Sequence, residues 1–260
     1  MPARLAIALA TALALAALAA SVGAEVRRQG TLQVAFAGKI APRKLPRTGT
    51  APVAVSVAGR IATTDGSAPP QLRTIELAIN RHGRLHTKGL PTCRYESIQP
   101  ATTAEARQAC PGAVIGSGRF EADVALPDQS PFPSDGRVVA FNGVRDGKRV
   151  IFAHIYGTEP LPTSFTLPFA LKQRRQGVYS TVLVARLPLL AARWGYVSAI
   201  SLTLRRRYRH QGKRRSYISA GCPAPRGFRG TPFRLARASF GFQGGKTVAI
   251  TLTRSCAVRG

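Results

Sequence analysis

The chain is poor in sulphur, indole and acid. It holds one methionine, one tryptophan, four histidines and 11 acidic residues in 260 positions. An acid–base or metal enzyme therefore has few parts to draw on, although two suffice. No phosphate loop, dinucleotide fingerprint or zinc-protease motif is present. Gly116-Ser117-Gly118 is not a G-x-S-x-G nucleophile elbow, and the surrounding alternation places it in a strand rather than a strand-to-helix turn. No Cys-x-x-Cys knuckle occurs, so the cysteines do not read as a zinc site. Beyond the N-terminal segment, no apolar run reaches the ~20 residues a spanning helix needs.

That N-terminal segment reads as an export signal over residues 1–24. Arg4 supplies a thin positive region, Leu5 to Ala20 an unbroken Ala/Leu run, and Val22-Gly23-Ala24 the small residues that signal peptidase requires. Cleavage is expected before Glu25. A retained anchor is the alternative, but sixteen Ala-rich residues are short for a span. In an exported chain, Cys93, Cys110, Cys222 and Cys256 imply two disulfides with three possible pairings. The nearest-neighbour pairing, 93–110 with 222–256, is the simplest.

Basic residues number 38, for a net charge of +27, and arginine far outnumbers lysine. One reading is a polyanionic partner such as an acidic envelope polymer. The bland alternative is a GC-rich genome, which favours arginine and alanine codons together.

Turn signals recur every ten or so residues between short alternating runs. Residues 25–50 read as a basic, loosely held lead-in with one short strand at Thr31–Phe36. Leu45-Pro46-Arg47-Thr48-Gly49 matches the sortase pattern in five letters, but residues 50–260 follow it, so the match is read as chance. Ala51–Thr63 and Leu72–Asn80 are strands, with Val53, Val55 and Val57, then Ile75, Leu77 and Ile79, each on one face. Thr102 to Cys110 reads as the one helix: Thr102 and Glu105 have the spacing of a capping box, and Pro111 stops it. Val114–Leu126 alternates, with Arg119, Glu121 and Asp123 on its polar face. A proline-rich loop follows over Pro127–Asp135. Asp146-Gly147 joins two strands that are apolar at nearly every position, so both should be covered on two sides. Thr163–Leu171, Gly177–Leu187, Pro232–Phe242 and Thr247–Thr253 complete the set. These features predict an all-β, largely antiparallel sandwich or barrel of about a dozen strands with one short helix, in a single domain over residues 51–260.

The segment Trp194–Cys222 reads as one long hairpin. Ile200, Leu202 and Leu204 fall on one face, and Arg205, Arg207 and Arg209 extend the other. The tip from Arg205 to Arg215 carries seven positive charges and no negative one. Tyr208 and Tyr217 interleave with them, which suits cation–π contact as well as phosphate pairing. Register favours a three-residue loop, Gln211-Gly212-Lys213, which keeps Leu204 opposite Ala220 and avoids facing Arg209 with Arg214.

Other candidates carry weaker signals. Glu121 and Asp123 share a strand face, as glycosidase acid and nucleophile or calcium ligands do, although solvated carboxylates are commoner there. His82-x-x-x-His86 has metal-like spacing only on a helix, and Gly83 argues for a solvated pair. His154 lies mid-strand and reads as a satisfied core histidine. His210 reads as exposed.

Three stretches carry a resemblance: GLPTCRYESIQPATTAEARQACPGAVIGSG, LPTSFTLPF and SYISAGCPAPRGF with the final ITLTRSC. Together they resemble a group of uncharacterised secreted proteins of GC-rich actinobacteria, over most of residues 50–258. The resemblance implies export, paired cysteines and a β-rich fold; it implies no activity and assigns no functional residue.

The reading is a secreted, envelope-associated binding or structural module rather than an enzyme. Arg205, Arg207, Arg209, Arg214 and Arg215 would engage an anionic cell-envelope polymer. No cofactor, metal or nucleic-acid partner is expected. The alternative is a sandwich-fold polysaccharide hydrolase using Glu121 and Asp123.

Overall fold

The computed structural model describes residues 23–125, 130–158, 162–187 and 195–259. Most of the proposed export signal, part of the 127–135 loop and Trp194 lie outside the described residues.

The strands, in chain order, are β1 (Ala24–Gln29), β2 (Leu32–Ala41), β3 (Lys44–Leu45), β4 (Ala51–Pro52), β5 (Ala54–Thr63), β6 (Leu72–Asn80) and β7 (Gly83–Leu85). One α-helix, α1 (Thr103–Ala109), precedes β8 (Val114–Val124), β9 (Phe132–Arg145), β10 (Lys148–Gly157), β11 (Thr163–Gln176) and β12 (Tyr179–Arg186). Then come β13 (Gly195–Leu204), β14 (Arg207–His210), β15 (Lys213–Ser216), β16 (Ile218–Ala220), β17 (Gly230–Phe242) and β18 (Thr247–Val258). Thirteen of them form one sheet, in the order β1-β2-β5-β13-β8-β9-β10-β11-β12-β6-β17-β18-β3. Its pairings are antiparallel apart from β3 with β18. Among the described residues the fold is thus all-β with one short α-helix and two disulfides.

The sheet curls until β18 lies beside β1 and β2 without entering their ladder. Arg254 of β18 crosses this seam. Its guanidinium meets Glu25 Oε1 at 2.7 Å and donates from Nε to the Gly38 carbonyl at 2.6 Å and from Nη2 to the Gly23 carbonyl. The concave side collects the apolar positions. Val55 and Val57, Ile75, Leu77 and Ile79, and Ile200, Leu202 and Leu204 all face inward, as their period-2 spacing predicts. They surround an apolar interior cavity of about 150 Å³. An eight-stranded barrel is just filled by its own side chains, and larger ones enclose a lumen. This sheet is wide enough to leave one.

β9 and β10 explain their own composition. They meet at Asp146-Gly147 with φ of 51° and 70°, both positive, in register Arg145↔Lys148. That is the primed two-residue turn that matches the twist of paired strands. Val138, Ala140, Ile151 and Ala153 face the interior, while Val139, Phe141, Val150 and Phe152 face a second cluster on the convex side. Helix α1 and the segment before it cover that second face. Thr102 accepts from the Glu105 amide while the Glu105 carboxylate accepts from Thr102, closing the capping box. Cys93–Cys110 ties the helix end to the chain beside β9, with Cα atoms 5.6 Å apart. A seven-residue helix is marginal alone. Burial of Ile98, Phe141 and Phe152 beneath this cover contributes about 1.5–3 kcal/mol for each side chain. The second disulfide is Cys222–Cys256, at 5.7 Å between Cα atoms.

Two expectations about the strands differ from the structure. The 25–50 stretch is not loosely held: Leu32, Val34, Phe36, Ile40 and Leu45 are buried, and β2 pairs along its length with β5. Its apolar residues alternate with Gly, Ala and Lys, which masks a strand in composition alone. The segment from 194 to 222 is not one long hairpin. β13 inserts between β5 and β8, the ribbon β14–β15 stands apart, and β16 joins a small sheet with β4 and β7. Leu204 therefore faces Val55 and Gly116 rather than Ala220.

Candidate functional site

The basic ribbon is built from its turn outward. Gln211 and Gly212 have φ of 51° and 72°, so the loop has two residues rather than the expected three. His210 pairs with Lys213, Arg209 with Arg214, Tyr208 with Arg215 and Arg207 with Ser216. Turn geometry decides the register. A primed two-residue turn suits the strand twist, and the cost of facing Arg209 with Arg214 is small because both are exposed and screened by solvent.

This register sorts the side chains by face. Arg207, Arg209, Arg214 and Ser216 lie on one side of the ribbon, and Tyr208, His210, Lys213 and Arg215 on the other. The second face docks on the loop from His86 to Leu90. The Tyr208 hydroxyl lies 3.0 Å from the Lys88 carbonyl and 3.3 Å from that of His86. The His210 ring packs on Gly89, where a Cβ would collide with it. Gly89 also has φ of 77°, so glycine is required there twice over. His210 is therefore half-buried, not exposed.

The tyrosines do not form a stacking platform. Tyr208 is spent on docking, and Tyr217 is 0% exposed. Burial pushes both phenols up, and the neighbouring Tyr208 adds to the effect at Tyr217. What the ribbon presents to solvent is guanidinium. Arg205, Arg207, Arg209, Lys213, Arg214 and Arg215 are exposed, whereas Arg206 is half-buried with Nη2 3.5 Å from the Gly112 carbonyl. No acidic residue of the chain follows Glu159, so nothing nearby in sequence neutralises this group. The Arg84 and Arg215 charges, after burial, hold His86 below its ordinary value.

The remaining candidates are placed as follows. Glu121 lies on the convex face of β8, 3.3 Å from Arg60, with side chains 47% and 64% exposed. Asp123 lies two residues on, with Tyr196 and Pro133 as its ladder neighbours. A shallow depression lined by Ala35, Ala58, Arg60 and Arg119 includes Glu121 but not Asp123. The two carboxylates therefore do not converge on a shared cleft. His82 and His86 are not a solvated pair. The His86 Nε2 is 2.7 Å from the Ser219 hydroxyl, and burial lowers both rings. His154 is 0% exposed, with Nδ1 3.3 Å from the Thr166 hydroxyl and the ring against the backbone of Ile98 and Thr102. Desolvation lowers it. Among the described residues, no group of three His, Cys, Asp or Glu side chains is placed to hold a metal ion. No helix among them is long and apolar enough to cross a membrane.

The LPRTG stretch is structural. Leu45 is buried, the Pro46 carbonyl accepts from the Cys222 amide at 2.9 Å, and Arg47 donates to the carbonyls of Ala224, Pro225 and Phe228.

Sequence reasoning missed the anchoring role of Tyr208 and His210. The signal was present in their shared parity along β14, opposite to that of Arg207 and Arg209. No family model matches the chain, and neither a curated protein nor a solved structure matches it.

Proposed function

We propose that this protein is an exported, non-catalytic binding module that engages an anionic polymer of the cell envelope through the β14–β15 ribbon. The observation that carries the reading is the sorting of the ribbon's two faces. One docks through Tyr208 and His210 and keeps only Lys213 and Arg215 at its exposed edge, while Arg207, Arg209 and Arg214 share the other, undocked face. A docked ribbon loses less side-chain and loop entropy on binding than a free arginine tail. Guanidinium forks suit phosphate and carboxylate acceptors. Two disulfides agree with folding in an oxidising compartment.

The test must separate the ribbon from the overall positive charge. Fluorescent polyphosphate is titrated with wild type, with the triple variant Arg207→Ala/Arg209→Ala/Arg214→Ala, and with a charge-matched control, Arg174→Ala/Arg175→Ala/Arg237→Ala. All six positions are exposed. Wild-type affinity should fall steeply between about 50 and 200 mM salt. The ribbon variant should lose most of the binding and flatten that slope, while the control keeps it. Equal losses in the two variants would reduce the interaction to bulk charge and refute the ribbon as the site.

A further inference from the structure

Among the described residues, Phe228 is the most exposed large apolar side chain, at 62%. It stands on a fixed turn. Pro225 to Phe228 closes through the Phe228 amide, which donates to the Pro225 carbonyl at 3.2 Å. Gly227 has φ of 88° while that of Arg226 is not positive, the type II pattern with glycine where the turn needs it. Arg47 clamps the turn from a distant segment. Its Nη1 donates to the carbonyls of Ala224, at 2.7 Å, and Pro225, and its Nη2 to that of Phe228 at 2.8 Å. Before the turn, Cys222 is bonded to Cys256. After it, the Arg229 carbonyl accepts from the Val258 amide at 2.8 Å. A lone surface phenylalanine needs no explanation, but three guanidinium bonds and a disulfide that fix its backbone do.

The neighbours of this tip are cationic. Gly230 pairs with Ala257, and Ala257 with Lys44, so the three share one face of their strands. Leu45 and Val258, the next residues along, pack against the core on the other face. Alternation carries the outer face from Ala257 on to Arg259, and from Gly230 back to Phe228. Lys44, Arg259 and Phe228 thus share the outer side, with Arg226 at the turn itself. All three cations are exposed. Arg229 has the opposite parity and is not counted with them. Residues 26–64 and 160–260, which build the tip, hold no acidic residue.

We propose that this tip docks on an anionic phospholipid surface, with the Phe228 ring entering the interface and Lys44, Arg226 and Arg259 among the head groups. Such a surface supplies both partners at once, acyl chain for the ring and phosphate for the cations. It does so with no fixed spacing to match, whereas a protein pocket would have to meet each cation in place. The turn is already ordered, so docking costs little conformational entropy. The tip acts independently of the ribbon: it depends on an apolar ring that a polymer of repeated charges does not engage.

The probes are vesicles of phosphatidylcholine with about one third phosphatidylglycerol, vesicles of phosphatidylcholine alone, and soluble polyglutamate. Binding of the full chain, with both disulfides intact, is read by co-sedimentation with the vesicles and by fluorescence anisotropy with labelled polyglutamate. Phe228→Ala keeps every charge and should weaken binding to the anionic vesicles about tenfold, the size of one partly buried phenylalanine. Lys44→Gln/Arg226→Gln/Arg259→Gln should weaken it about a hundredfold, at roughly fivefold for each cation. The charge-matched Arg174→Gln/Arg175→Gln/Arg237→Gln should lose far less. Phe228→Trp should bind as wild type does. Its emission should shift to the blue and be quenched by lipids brominated on the acyl chains, read against wild type with its one tryptophan. Phosphatidylcholine alone should hold every variant weakly. A Phe228→Ala protein within about twofold of wild type would overturn the proposal, as would an unquenched indole in Phe228→Trp. Equal losses in the two triple variants would reduce the contact to bulk charge. A Phe228→Ala loss seen with polyglutamate and not with vesicles would assign the tip to an acidic protein instead.

Discussion

Replacing Arg254 by methionine keeps the aliphatic stem of the seam residue and removes its guanidinium. The Arg254 side chain is 18% exposed, and that of its partner Glu25 is 34% exposed. The substitution deletes the charged bonds to Glu25 and the bond to the Gly38 carbonyl at 2.6 Å; the bond to the Gly23 carbonyl is lost as well where residue 23 is retained, and cleavage before Glu25 would already remove it. A hydrogen bond to a charged group contributes about 1.5–3 kcal/mol when formed out of water. Glu25 regains water when its partner is lost, and exposed ion pairs contribute only ~0–1 kcal/mol, so the losses do not add in full. The expected cost is about 2–3 kcal/mol. Glu25→Gln keeps an acceptor for Arg254 and leaves the Gly38 bond intact, and should cost about 1 kcal/mol. The double variant should show a coupling of about 1 kcal/mol, because the pair is in direct contact. Urea unfolding followed by circular dichroism, with both disulfides oxidised, measures all three. An Arg254→Met protein within about 0.5 kcal/mol of wild type would refute the seam as a point of closure.

Three further outcomes are expected. Removing Cys222–Cys256 with paired alanines should cost about 4 kcal/mol and removing Cys93–Cys110 about 3, because the loops span 34 and 17 residues; urea midpoints that reverse the order would contradict the chain-entropy account. His82, His86 and His154 all have lowered values in the folded state, chiefly through burial. Their contribution is therefore complete above the ordinary histidine value near 6.5 and is lost as pH falls below it. Calorimetry should show a lower Tm at pH 5 than at pH 7, and His154→Gln should narrow the gap. Tyr208→Phe removes the hydroxyl that meets the carbonyls of Lys88 and His86, at a local cost of about 1 kcal/mol. Amide exchange should rise across residues 207–216 while the global midpoint holds.

Local signals were legible where one turn and one face decided the outcome. Asp146-Gly147, the alternation of Leu72–Asn80 and the Thr102–Glu105 box each specify their element from a few neighbouring residues, and each forms as expected. The segment after Leu204 was not legible, because its geometry is set from outside. β13 finds its partners in β5 and β8, far away in sequence, so the parity of Leu202 and Leu204 carries no information about Cys222. The turn at Gln211-Gly212 shows a related limit. Cross-strand charge repulsion favours an odd-numbered loop, yet at an exposed tip the backbone conformation prevails. The cavity was hidden for a third reason. Alternating Val, Ile and Leu read the same whether the opposite wall touches them or stands a few ångströms away. Only the curvature of a wide sheet separates the two cases.

The seam also sets an order on assembly. Glu25 and Arg254 are 229 residues apart, yet they meet across the gap where the curled sheet comes round on itself. β6 likewise waits for β12 on one side and β17 on the other. Contacts of such long range carry large loop-closure costs and slow the approach to the native state. An emerging chain cannot shut the ring early, because the last long strand to arrive is the one that meets the first. Until β17 and β18 are in place, Phe36, Val57 and Leu77 face water along an unfinished wall. That interval is when the protein is most open to aggregation, and a holding chaperone would have most to shield then.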